Sequence, residues 1–130
     1  MKKIAILRCL KTSASCAGTG CLRAFNERSE GFAKYAGEEV QLAAMWTCNG
    51  CGESTLENQA EGLEKKIARM VKNNIEGVHL SHCTSKKNEA DIPVRCPTIV
   101  DISRRLEAAG VAVYDGTHGQ HVTGERLKMD

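Results

Sequence analysis

Four short apolar runs alternate with longer polar and amphipathic stretches, and this alternation constrains the fold more than any other feature of the chain. The runs are KKIAILRC (2–9), VQLAAMWTC (40–48), GVHLSHC (77–83) and VAVYDGTH (111–118). Each is entered from a polar or glycine-containing stretch and is too brief for an independent helix, so each reads as a strand. Their near-continuous apolar character suits central strands of a parallel sheet covered on both faces.

Helices are predicted between them. In STLENQAEGLEKKIARMVKNN (54–74), Leu56, Ala60, Leu63, Ile67 and Val71 recur at spacings of three and four, and Ser54 with Glu57 forms a capping box. CPTIVDISRRLEAAG (96–110) places Pro97 at a first helical position and Gly110 just past the end, with Ile99, Ile102, Leu106 and Ala109 on one face. From Gly20 to Tyr35 the pattern around Leu22, Phe25 and Phe32 is interrupted at Ser29–Gly31. The expected fold is a three-layer α/β domain with a four-stranded parallel sheet in the flavodoxin-like order 2-1-3-4 and flanking helices. With 130 residues and no dividing linker, residues 1–130 read as a single domain. TSKKNEADIPVR (84–95) reads as one long polar loop, and the chain after Gly119 as a loop or short helix.

Charge and composition exclude several classes of function. Eighteen basic and sixteen acidic residues are interspersed, without the basic stripe of a nucleic-acid binder, and Trp46, Tyr35, Tyr114, Phe25 and Phe32 are too few to build stacking platforms. No nucleic acid is expected as a partner. The opening MKKIAILRCL imitates a secretory signal until Arg8 cuts the apolar run. No stretch approaches the ~20 apolar residues that span a bilayer. A soluble, cytoplasmic protein with no membrane partner is expected. In a reducing compartment its seven cysteines read as ligands or reactive thiols rather than structural disulfides.

The predicted strands end in Cys9, Cys48, Cys83 and His118. Ligands of open α/β sheets lie outside the carboxyl ends of the strands, so this placement directs metal-competent side chains at one crevice. Cys51 lies three residues beyond Cys48, Cys16 and Cys21 fall in the loop after the first strand, and Cys96 ends the loop after the third. A lone cysteine is more often a small core hydrophobe than a ligand. Seven at one edge argue for metal or thiol chemistry. The Cys48–Cys51 spacing is shared by zinc sites, iron–sulfur sites and dithiol oxidoreductases. Gly50 and Gly52 permit positive φ, leaving backbone N–H groups free to point at sulfur. Cys51 and Cys96 precede helix amino termini, where the dipole favours an anion.

The other candidates divide between site and scaffold. His82 reads as a donor behind the ligands, His79 as a hydrogen-bonded core residue and His121 as surface. Asp115 either orients His118 or caps a turn, and Trp46 reads as core near the site. Arg8 beside Cys9 reads as charge compensation or as a solvated side chain.

The motifs ILRC with Cys9, CAGTGC with Cys16 and Cys21, TCNGCGE with Cys48 and Cys51, VHLSHC with Cys83, RCP with Cys96 and DGTH with His118 together resemble the CGGC domain family. Asn49 stands where the signature has its first glycine, and Gly52 where a proline is common. The resemblance implies a small cysteine- and histidine-rich domain that binds metal, with zinc as the cofactor. Iron–sulfur binding and a dithiol oxidoreductase using Cys48 and Cys51 remain the alternatives. The expected ligands are Cys9, Cys48, Cys51, Cys83, Cys96 and His118, with Cys16 and Cys21 as a lid or second-site pair.

Overall fold

The computed structural model describes residues 1–50, 59–87, 89–90, 93–119 and 122–127. Four parallel strands form the main sheet: β1 (Lys2–Arg8), β2 (Val40–Thr47), β3 (Gly77–Leu80) and, last in the chain, β6 (Ala112–Asp115). Their spatial order is β2-β1-β3-β6, the expected order when the four are counted along the chain. Each strand stops short of the cysteine or histidine that follows its apolar run. Those side chains therefore sit in the loops at the carboxyl edge.

Between β1 and β2 the chain forms α1 (Leu10–Ser13), α2 (Thr19–Glu27) and a 3-10 segment, Glu30–Tyr35. The predicted interruption is real: Arg28 ends α2 with φ 54, and Glu30 also takes positive φ. Cys21, expected in the loop, lies instead in the first turn of α2, because Gly18 with φ 81 starts the helix three residues earlier. Next come α3 (Gln59–Lys72) and α4 (Pro97–Ala108), the latter opened by Pro97 and followed by Gly110 at φ 89. The Ser54–Glu57 capping box lies outside the described residues.

The expected long loop contains a small antiparallel hairpin, β4 (Ser85–Lys87) with β5 (Pro93–Arg95). The chain at 122–127 is a loop, the first of the two expected forms, and is tied back by an antiparallel bridge between Tyr114 and Arg126. Among the described residues, no helix is long and apolar enough to cross a membrane.

The sheet has a core on each face. Ala5, Leu7, Trp46, Cys48, Val78, Leu80 and Val113 pack with Leu63 and Met70 of α3 and Ile99, Ile102 and Leu106 of α4. Ile4, Ile6 and Val40 face the other way, against Cys21, Ala24 and Phe25 of α2 and Phe32 and Tyr35 of the 3-10 segment. Burying each large aliphatic side chain contributes about 1.5–3 kcal/mol. Phe25 and Phe32 meet edge to face at 5.5 Å.

One irregularity decides which face receives the end of β2. Ile4 pairs with Leu42 but Ala5 pairs with Ala44, so Ala43 is an extra residue. A bulge of one residue inverts the alternation beyond it. Leu42 packs with the α2 layer, whereas Ala44, Trp46 and Cys48 turn to the α3/α4 layer.

Candidate metal centre

The described candidate ligands lie at the carboxyl edge of the sheet, but the two cores divide them. On the α2 face, Cys21 is buried and its sulfur lies 3.1 Å from Thr117 Oγ1 and 3.7 Å from Nδ1 of His118. Two ligands of one tetrahedral zinc, with Zn–S near 2.3 Å and Zn–N near 2.0–2.1 Å, stand about 3.5 Å apart. The Cys21–His118 separation fits a shared metal. His118 lies against Gly20, where a Cβ would stand 2.7 Å from Nε2.

Protonation suits His118 better than Cys21. Burial pushes the Cys21 thiol pKa up, a shift opposed by its Thr117 bond and Arg8 and reinforced by Cys83 and Cys16. Burial lowers the pKa of His118, with His82 and Arg23 adding to the shift and Glu30 opposing it. Cys21 is thus a thiol that must release a proton to bind metal, whereas His118 is already the neutral imidazole that ligates.

Arg8 continues the inward face of Ile4 and Ile6 and is buried, so its solvated reading is corrected. Its guanidinium donates to the Cys16 carbonyl. The Cys16 thiol pKa is lowered, chiefly by the Gly18 backbone N–H, with Arg8 helping.

In the middle of the edge, the Cys9 backbone N–H donates to Cys83 Sγ at 3.3 Å, and Ser81 Oγ lies 2.8 Å from the same sulfur. Both neighbours can donate a hydrogen bond to the sulfur. Parallel pairing of β1 with β3 brings these residues together.

On the α3/α4 face, Cys48 is buried in the core and its N–H still pairs with the Arg8 carbonyl at 3.2 Å. Cys96 precedes α4, packs against the same core, and donates its N–H to the Thr84 carbonyl at 2.9 Å. Cys51 lies outside the described residues, as does His121. Among the described residues, no three Cys, His, Asp or Glu side chains converge in an arrangement that could hold a metal.

The remaining histidines and Asp115 form the frame. His79 is fully buried and bonds both Tyr35 and the Gly116 carbonyl, as expected of a core histidine. His82 is exposed, with its ring 6.2 Å from that of His118. Asp115 accepts from Arg95 at 2.8 Å and from Thr123, so it braces the following chain rather than orienting His118. Burial acts to raise its pKa, but Arg95 and Thr123 outweigh this and hold the carboxyl below its usual range.

Sequence reasoning missed Thr117, Ser81 and Gly20. Thr117 directly precedes His118 and Ser81 lies two residues before Cys83, and that nearness in the chain is the one sequence signal they carry. For Gly20 there is none, since its contact with His118 joins residues distant in sequence.

No curated protein and no solved structure matches the chain. The profile of the CGGC domain matches residues 3–118, nearly all of it. With its described candidate ligands at the carboxyl edge of a parallel sheet, the chain belongs to the CGGC domain family.

Proposed function

We propose that this protein is a metal-binding domain that holds zinc through cysteine thiolates and His118 at the carboxyl edge of the sheet. The observation that carries the reading is the Cys21–His118 pair, whose 3.7 Å separation and neutral imidazole suit two ligands of one zinc. Cys21 and Cys16, read from sequence as a lid or second-site pair, thereby gain weight on the α2 face. Cys9, Cys83, Cys48, Cys51 and Cys96 are the remaining donors. The division between two sheet faces favours more than one metal position, or one site that draws loops together on binding. Zinc would supply Lewis acidity or a structural clamp; the chain supplies the donors, the buried Arg8 and a neutral imidazole.

The test is elemental analysis with an ultraviolet–visible spectrum of protein purified without oxygen. Stoichiometric zinc without visible absorption supports the reading. Iron with visible charge-transfer absorption transfers it to an iron–sulfur centre. Absence of metal, together with a reversible Cys48–Cys51 disulfide, transfers it to a dithiol oxidoreductase.

A further inference from the structure

Helix α3 presents a polar stripe to the turn that carries Cys48. Gln59, Gly62 and Lys66 recur at spacings of three and four, beside the core residue Leu63, so all lie on the helix side that meets β2. Gln59 Nε2 donates to the Gly50 carbonyl at 3.2 Å. Lys66 Nζ donates to the Thr47 carbonyl at 3.0 Å and to the side-chain oxygen of Asn49. A Cβ at Gly62 would stand 2.8 Å from the Asn49 amide nitrogen. The turn Thr47–Gly50 is thus gripped at Thr47, Asn49 and Gly50, on both sides of Cys48.

Asn49 has φ 63 and is buried. That conformation is the reason a glycine suits the position, and asparagine is among the few other residues that tolerate it. In place of a bare glycine, Asn49 adds an acceptor, which Lys66 occupies, and an amide that needs the space left by Gly62. Glycine inside a helix costs up to about 1 kcal/mol relative to alanine. Its place in α3 is explained by the approach of Asn49.

We infer that Lys66 is a positioning residue for Cys48: it locks the Thr47–Gly50 turn through Thr47 and Asn49 and brings a cation to the two residues that flank Cys48. A lysine aliphatic stem can pack while its ammonium reaches a polar group, and a site of several thiolates around one divalent metal carries net negative charge that such a cation offsets. This deepens the metal reading of Cys48, on which the charge role rests. The grip on the turn stands on the contacts alone.

The experiment uses the full chain, reduced and stripped of metal, in wild-type, Lys66→Met, Lys66→Arg, Asn49→Gly and Gly62→Ala forms. Labelling of each cysteine by a neutral maleimide is followed by peptide mass spectrometry. Buried Cys21, on the opposite face, reports global opening. Lys66→Met, Asn49→Gly and Gly62→Ala should each speed Cys48 labelling about fivefold or more with Cys21 unchanged, and Lys66→Arg should stay within about twofold of wild type. Cys48 and Cys21 rising together, or no change at Cys48, would overturn the inference. Zinc competition with a chromophoric chelator on the same proteins separates the two readings. If wild type binds no zinc, the metal reading and the charge role fail, while the labelling result still decides the turn. If wild type binds and Lys66→Met binds equally, the charge role fails while the metal reading holds.

Discussion

The Tyr35 hydroxyl donates to Nε2 of His79 across 2.8 Å. The direction follows from the other ring nitrogen, because the Gly116 carbonyl 3.0 Å from Nδ1 can only accept, so Nδ1 carries the proton. Phe32 and Tyr114 cover the ring at 4.5 and 5.0 Å. A neutral histidine thereby ties the 3-10 segment to the loop that carries Thr117 and His118.

Burial lowers the His79 pKa from 6.5 to about 4, with Lys34 adding to the shift and the Gly116 bond and Asp115 opposing it. The unfolded chain therefore takes up the proton first as pH falls. Stability from this group is fully present above pH 6.5 and is lost towards pH 4, by at most about 1.4 kcal/mol per pH unit. Urea midpoints at pH 7, 6 and 5 should fall in wild type and fall less steeply in His79→Gln. A residual slope is expected from His118, whose pKa is also lowered.

Gly20→Ala is expected to separate stability from metal binding. The added methyl meets the far end of the His118 ring, which can swing away, and alanine is the better helix former. Thermal stability of the metal-free protein should change by less than about 1 kcal/mol. Zinc affinity should fall, by about tenfold or more if His118 is a ligand, an amount typical of disturbing metal-ligand support. Equal zinc affinity in a chelator competition would remove His118 from the ligand set.

Gly31→Ala should act differently, because its obstacle is backbone. A Cβ there would collide with the Gly116 carbonyl, while the Gly31 N–H donates to the Thr117 carbonyl at 2.9 Å. Neither backbone segment of this contact can rotate aside as a side chain can. A destabilisation of about 1–3 kcal/mol is expected in denaturant unfolding, as for other overpacked cores.

Trp46 provides a label-free readout of the Cys48 region. Its side chain lies in the same core as Cys48, and its buried indole N–H has no hydrogen-bond partner among the described residues. Chelation under reducing conditions should shift or quench its emission, and zinc should restore it. Emission that follows thiol oxidation and ignores chelator would support the oxidoreductase alternative.

Replacing Cys48 and Cys51 together by serine should lower metal content and the thermal midpoint in the same preparation, because a metal bound to the folded state adds its binding energy to stability. Unchanged metal content would reject the pair as ligands.

The four strands of the main sheet, their order, the helices α3 and α4, and the edge that receives the described cysteines were legible in the sequence. Apolar periodicity, Pro97 and Gly110 act locally, and parallel crossovers admit few topologies. The grouping of donors was not legible. Cys21 meets His118 across 97 positions and Cys9 meets Cys83 across 74, distances along the chain that no local pattern encodes. The hairpin after β3 was hidden by its short, polar strands. Most decisive is Ala43: by opposing β1 as an extra residue it turns Trp46 and Cys48 towards α3, where Lys66 and Gly62 receive the adjoining turn. The sequence by itself determined that Cys48 follows directly on a strand. Only the tertiary pairing decided which face it takes, because side-chain alternation is set by register against a neighbour and a single unpaired residue inverts it.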